Sequence, residues 1–227
     1  KEGGFFFDRW GATMPQKMTL KMAREIAGTL GNPSKMPGKA YGIPADKCKV
    51  GSILIKLKGT VCHKCYALKG NYTFPSVVKS QQKRLASLYH ALWVVAMVYL
   101  ILHANEKEFR WHDSGDLQSM KHLLNIIQVA RQTPDVLHWI PTKEIKLVMD
   151  FYRTYGIDYI PDNLIIRISG YMINGKVPNR WPWTSTVHNS KEFIIGEECM
   201  AYTRKGKCGT CRKCWDKSVD NVSYPVH

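Results

Sequence analysis

Four of the seven cysteines, Cys199, Cys208, Cys211 and Cys214, follow the pattern C-x8-C-x2-C-x2-C. A C-x2-C step lets two thiolates reach one metal or one cluster from a tight turn, and Gly206 and Gly209 give the backbone that freedom. Thiols at intervals of three are also how iron–sulfur ligand runs are spaced, and zinc accepts the same four donors. The other three, Cys48, Cys62 and Cys65, are one short of a closed set, with Cys62-His63-Lys64-Cys65-Tyr66 as the compact part. Such a set either borrows a ligand, His63 for example, or leaves a coordination position open, and open positions are where metal chemistry takes place.

A third constellation is Trp111-His112-Asp113-Ser114-Gly115-Asp116, directly after a stretch, Phe109–His112, that reads as a strand. His112, Asp113 and Asp116 suit acid–base work or substrate clamping, while Asp113, Ser114 or Asp116 also suits the cap of the next helix. A second strand, Val136–Ile140, runs into Pro141-Thr142-Lys143-Glu144, which sets a charged pair, Lys143 and Glu144, at the same edge. A third, Leu164–Ser169, carries Arg167 and Ser169. In parallel α/β folds ligands bind outside the carboxyl ends of the strands, so these residues converge on one edge.

The elements that must position them follow a βα rhythm. Strand starts at 109, 136 and 164 are 27 and 28 residues apart. That is the length of a βα unit and predicts a parallel sheet with right-handed crossovers, open or curled into a barrel. Leu117–Arg131 and Lys143–Tyr155 read as the intervening helices. Pro75 to His103 reads as one long helix with Pro75 at its first position. Thr19–Leu30 reads as a short helix with Thr19 as N-cap, and Ser52–Leu57 as a short strand. Asn179–Ser190 reads as an aromatic and Ser/Thr-rich loop. The organisation expected is an N-terminal extension (1–40), a βα body with the first cysteine group (41–190), and an irregular Cys-rich segment packed on it (191–227).

Composition bounds the function. The chain has 227 residues, 44% hydrophobic and 22% charged, which excludes a disordered, collagen-like or coiled-coil protein. Seven cysteines, an odd number, argue against a closed disulfide framework. With no secretory leader pattern at its start, the chain is expected to be a soluble cytoplasmic protein with reduced thiols. The longest apolar stretch, Ala91 to Leu102, is about twelve residues against the roughly 20 a membrane span needs, so no membrane partner is expected. Thirty-three Lys and Arg against 18 Asp and Glu leave a formal charge of +15, which makes nucleic acid a partner to consider.

At Cys62-His-Lys-Cys-Tyr-Ala-Leu-Lys-Gly70 and Phe109-Arg-Trp-His-Asp-Ser-Gly-Asp116 the sequence resembles the bacteriophage proteins called the gene product eighty-eight family. The similarity runs over roughly 35–227, through Trp139-Ile-Pro-Thr-Lys-Glu144, Thr184-Ser-Thr-Val-His188, Gly206-Lys-Cys-Gly-Thr-Cys-Arg-Lys-Cys-Trp215 and Val222-Ser-Tyr-Pro-Val-His227. The general character is similar to radical S-adenosylmethionine enzymes. That resemblance implies a partial βα barrel, cysteine-held iron–sulfur clusters and the host cytoplasm as the place of work. Tyr66 is then the aromatic that accompanies the C-x2-C step, and Arg167, Ser169 and His188 are cofactor-side residues. The sequence departs from that pattern where thirteen residues separate Cys48 from Cys62, and no glycine-rich segment after a strand marks a methionine-binding site.

Two readings result. In the first, Cys48, Cys62 and Cys65 hold one iron–sulfur cluster with an open iron. Cys199, Cys208, Cys211 and Cys214 hold a second, both of the 4Fe-4S type. His112, Asp113, Asp116, Lys143 and Glu144 serve a substrate of unknown identity, with S-adenosylmethionine and an electron-donor protein as the implied co-reactant and partner. In the second, zinc stabilises a basic nucleic-acid-binding protein in which Trp181, Trp183 or Tyr171 stacks on bases.

Overall fold

The computed structural model describes residues 17–178 and 180–226. Residues 1–16 of the expected N-terminal extension, Asn179 and His227 lie outside the described residues. Seven strands form one sheet: β1 (Lys39–Tyr41), β2 (Glu108–Trp111), β3 (Leu137–Thr142), β4 (Leu164–Ile173), β5 (Thr184–His188), β6 (Glu197–Glu198) and β7 (Asn221–Pro225). Their spatial order is β1-β2-β3-β4-β5-β7-β6, every pairing is parallel, and the sheet is open. The α/β class with parallel strands, read from the βα rhythm, is therefore present.

Among the described residues six α-helices accompany the sheet: α1 (Leu20–Ala27), α2 (Lys49–Leu54), α3 (Pro75–Ser87), α4 (Trp93–Ala104), α5 (Met120–Gln132) and α6 (Ile145–Tyr155). Alternation along the strands sorts the two faces. Phe109 and Trp111 of β2 turn towards α4 and α5, where Trp93, Trp111, Tyr41 and His138 form a buried aromatic cluster. Tyr41 closes that side by donating to the Ala27 carbonyl at 2.6 Å. Arg110, Trp139 and Arg167 turn to the other face, which the segment following β6 covers: Trp215 packs edge-on to Trp139 at 5.1 Å and donates to the Phe109 carbonyl. Among the described residues no helix is long and apolar enough to cross a membrane.

Several local expectations are corrected. Ser52–Leu57 does not form a strand: Lys49–Leu54 is helical, because Glu144 Oε1 accepts the Val50 N–H at 2.9 Å and so satisfies a first-turn donor. That tertiary contact outweighs the β-branched residues. Pro75 to His103 is two helices rather than one, broken at Leu88–Leu92, where His90 Nδ1 accepts the Leu92 N–H. The polar α3 and the largely apolar α4 both close on α1, and Tyr41 Oη meets Ser87 of the first and Trp93 of the second across the break. Thr19 caps α1 as read, with its side chain accepting from Met22 N, but the helix stops at Gly28 (φ +82°) instead of Leu30. The cap of α5 is Ser119, which leaves Asp113, Ser114 and Asp116 free for other work.

Asn179–Ser190 contains a strand, β5, that the polar composition disguised. Its Thr184, Thr186 and His188 hydrogen-bond to Asn221 and Ser223 of β7, so buried polar side chains pair across the ladder. The Cys-rich 191–227 segment likewise gives the sheet two strands, β6 and β7, and β1 falls across the boundary expected at residue 40.

Candidate functional site

The carboxyl edge of β1 to β4 gathers the first cysteine group. Cys48 caps α2 beyond β1, and Cys62 and Cys65 lie in the loop that follows it. Val61 N donates to the Tyr171 carbonyl and Thr60 bridges to Met172, which docks Cys62 against the end of β4. A side chain at Gly51 would set its Cβ 2.8 Å from Cys48 Cβ, 3.6 Å from Cys48 Sγ and 3.8 Å from Cys62 Sγ. The glycine therefore keeps clear the space that the two sulfurs flank. Burial pushes the Cys48 and Cys62 thiols up, with the neighbouring thiols and Asp116 adding to it and Lys143 opposing it at Cys62.

The carboxylates around this group are positioned rather than loose. Asp116 is 6% exposed; its Oδ1 accepts from Thr142 Oγ1 at 2.6 Å and Leu117 N at 2.7 Å, and its Oδ2 from Lys143 N at 2.8 Å. Burial still dominates and pushes its carboxyl up to about 6. Glu144 anchors α2 as described, and its charge acts on Cys48. Asp113 accepts Tyr66 Oη and Tyr72 Oη on its carbonyl, with Tyr72 Oη also 3.4 Å from Oδ2, while Oδ1 is buried without a partner above Gly42. Asp113, Asp116, Lys143, Glu144 and Tyr66 thus share one edge with Cys48, Cys62 and Cys65.

His112 does not join them. It sits in the left-handed region (φ +54°), 3% exposed, and its ring packs 5.3 Å from His122 on the helix side. Both ring nitrogens lack a partner, and burial beside His122 and Arg110 holds the ring well below the usual imidazole range. Ser169 faces Ser185, Oγ to Oγ 2.9 Å, and His188 is held by Ser223 at the β5–β7 seam with Glu198 3.5 Å away.

The second cysteine group assembles on the face opposite the helices. Cys199 follows β6 and is fixed by Cys199 N to the Ser223 carbonyl; Cys208 N donates to the Lys35 carbonyl beside β1. Cys214 Sγ lies 3.0 Å from Tyr224 Oη. The thiols act on one another: Cys199 and Cys211 both raise Cys208, and Cys199 raises Cys214, which burial pushes up to about 12. Arg167 fastens this segment to β4. Fully buried, it donates to the carbonyls of Cys214, Thr184, Val219, Lys213 and Asp216 at 2.7–3.3 Å. It is thus a brace for the four-cysteine segment.

Sequence reasoning passed over Arg110, Tyr72, Trp139 and Tyr224. Arg110 lies over the Trp139 ring at 4.6 Å and feels Tyr66, Asp113 and Tyr72 on one side and Tyr224 on the other. It also acts on Cys208 and Cys214. Strand alternation could have marked it, since Arg110 is the inward partner of two aromatic residues that face the helices. Trp181 and Trp183, candidates for base stacking, are buried and donate to the Ile166 and Lys217 carbonyls.

All seven cysteines are free thiols. Among the described residues no three His, Cys, Asp or Glu side chains converge on a single metal ion. The clustered donors are thiols in both groups, and Gly51 leaves open the space that Cys48 and Cys62 flank. Residues 15–217 match the family model described as Gene product 88. No curated protein and no solved structure matches the chain.

Proposed function

We propose that this chain, which belongs to the gene product 88 family of bacteriophage proteins, is an iron–sulfur redox enzyme of radical S-adenosylmethionine-like type on a partial βα barrel. The observation that carries the reading is the division of the seven thiols into a three-member group at the carboxyl edge of β1–β4 and a four-member group across the opposite face, with Arg110 acting on Cys208 and Cys214 and reaching Tyr66, the neighbour of Cys65. Cys48, Cys62 and Cys65 would hold a cluster with one iron free of protein ligands, and Cys199, Cys208, Cys211 and Cys214 a closed one. Such a cluster supplies electrons and an open coordination position, to which S-adenosylmethionine would be the implied ligand.

The chain's own residues give that site its form. Lys143 places a cation beside Cys62, favouring its thiolate. Glu144 fixes the first turn of α2 and thereby Cys48. Asp116 locks the end of β3 to the end of β2 through Thr142 and Lys143 N, so both approach the thiols in one geometry. Tyr66 and Tyr72 hold the Asp113 carbonyl, and Gly42 allows Asp113 to approach that closely. The host cytoplasm, where free thiols stay reduced, is the working compartment in this proposal.

Anaerobic purification followed by metal and sulfide analysis tests the reading. The expected result is a brown protein with on the order of eight iron and eight sulfide per chain. A colourless protein with zinc and no sulfide, whose nucleic-acid affinity falls steeply with salt, would replace it with the zinc reading.

Gly51→Ala should separate the two groups. The new Cβ enters the space flanked by Cys48 and Cys62. Iron and sulfide are expected to fall by about half, to one cluster's worth. Helix propensity alone would favour alanine in α2 by about 1 kcal/mol, so unchanged thermal stability with half the iron locates the defect at the site. Full iron content in this variant would show that the first group does not bind metal there.

A further inference from the structure

Arg110 is a cation with no carboxylate partner among the described residues: none of the ion pairs includes it, whereas Arg212 pairs with Glu108 of the same strand. Its Nη1 meets only the Met36 sulfur, a weak acceptor, and its Nη2 reaches Tyr66 Oη at 3.3 Å. Nε, on the same edge of the guanidinium as Nη2, is buried without an acceptor. Beneath it lies Trp139, 4% exposed, and its indole Nε1 also lacks an acceptor. Two neighbouring donors left unsatisfied in a buried position are costly unless something supplies an acceptor.

The Nε–Nη2 edge of an arginine presents two parallel N–H groups, the geometry that matches two oxygens of a carboxylate or phosphate. We infer that Arg110 and Trp139 receive an oxyanion of the substrate on the face between the two cysteine groups, with the Arg110 fork binding two oxygens and the indole N–H a third contact. The substrate class is therefore an anionic molecule carrying a phosphate or carboxylate. This rests on the proposed function, in which the two cysteine groups hold the redox centres that the substrate approaches. A different basic cleft, about 680 Å³ between α1 and α3, is lined by the exposed Lys21, Arg24, Lys79 and Lys83 together with Glu25, and its cations lie at the surface.

The test is calorimetric titration of the purified protein with inorganic phosphate and, in a separate arm, with acetate; the anion bound more tightly names the group. Arg110→Gln is expected to weaken binding at least about tenfold, and Trp139→Phe severalfold. Arg110→Lys should restore little, since lysine lacks the fork. Iron and sulfide per chain should stay constant in all three. Wild-type binding of neither anion, or unchanged binding in Arg110→Gln, overturns the inference. So does loss of binding in Lys83→Gln with Arg110→Gln unaffected, which would move the site to the cleft between α1 and α3. Loss of iron in Arg110→Gln would make Arg110 a counter-ion of the cysteines and equally overturn it. Arginine-dependent anion binding in a protein that carries no iron would leave the oxyanion site standing and remove the cluster reading.

Discussion

Arg167→Met is expected to be among the most damaging single substitutions in the chain. The guanidinium is fully buried, has no carboxylate partner among the described residues, and is satisfied by main-chain carbonyls from Lys213 to Val219 and from Thr184. Methionine fills similar volume but leaves several of those carbonyls without a donor in a dry interior. At about 1–3 kcal/mol for each unsatisfied group, with partial relaxation, the loss is about 4 kcal/mol or more. For a domain of this size that corresponds to a melting temperature lower by about 8–16 °C. Because the carbonyls belong to the segment carrying Cys208, Cys211 and Cys214, the proposed function adds that metal in the four-cysteine group should go first while the three-cysteine group keeps its own. Arg167→Lys should rescue little, as one ammonium cannot reach carbonyls on both sides of the fork. A variant that melts like the parent and retains full metal would show that the brace is dispensable.

Mild acid is expected to unfold the protein. His122 and His138 are buried and held neutral, with burial lowering each to about 3, and His112 is lowered in the same direction. In an unfolded chain each titrates near 6.5. Below that pH the unfolded state binds protons that the folded state refuses, so stability is present above about 6.5 and is lost as pH falls. Each histidine contributes about 1.4 kcal/mol per pH unit. Asp116 acts in the opposite sense: its carboxyl, raised to about 6, takes a proton in the folded state before the unfolded one does, and offsets roughly one histidine between about pH 6 and 4. The remaining slope, about 3 kcal/mol per pH unit, exhausts a typical folding stability within two to three units. Circular dichroism should show cooperative unfolding between about pH 3.5 and 4.5. In His122→Gln the slope of stability against pH should fall by about one histidine's share, and an unaltered slope would remove this histidine from the account.

The cysteine groups, the βα rhythm from residue 109 to 169 and the shared carboxyl edge were legible because each is written locally: fixed thiol spacing, apolar periodicity, polar residues just past a strand. Asp116, Lys143 and Glu144 could be placed at that edge from the same pattern. What was not legible depends on contacts distant in sequence. Lys49–Leu54 is helical because a carboxylate 94 positions away accepts the Val50 N–H. The polar Thr184–His188 is a strand because Asn221 and Ser223 answer its side chains. His112 reads as a catalytic histidine from its neighbours, yet its positive φ turns the ring back towards α5, and nothing in the string W-H-D-S-G-D encodes that turn. Arg110 escaped notice for the converse reason: a lone arginine in a strand is ordinary until its unmatched edge is seen over Trp139.

The strand order ending β5-β7-β6 fixes a sequence of events in the life of the chain. β6 joins the sheet only by pairing with β7, and β7 begins at Asn221, after all four cysteines of the second group have been made. The first group is framed by β1 to β4, all complete by Ile173. A chain emerging from the ribosome, amino end first, can therefore close the three-thiol site while the four-thiol segment is still an unanchored tail. Synthesis thus orders the two cysteine groups: the three-thiol group can be framed first, and the four-thiol group is assembled last, when β7 arrives to slot between β5 and the edge strand β6.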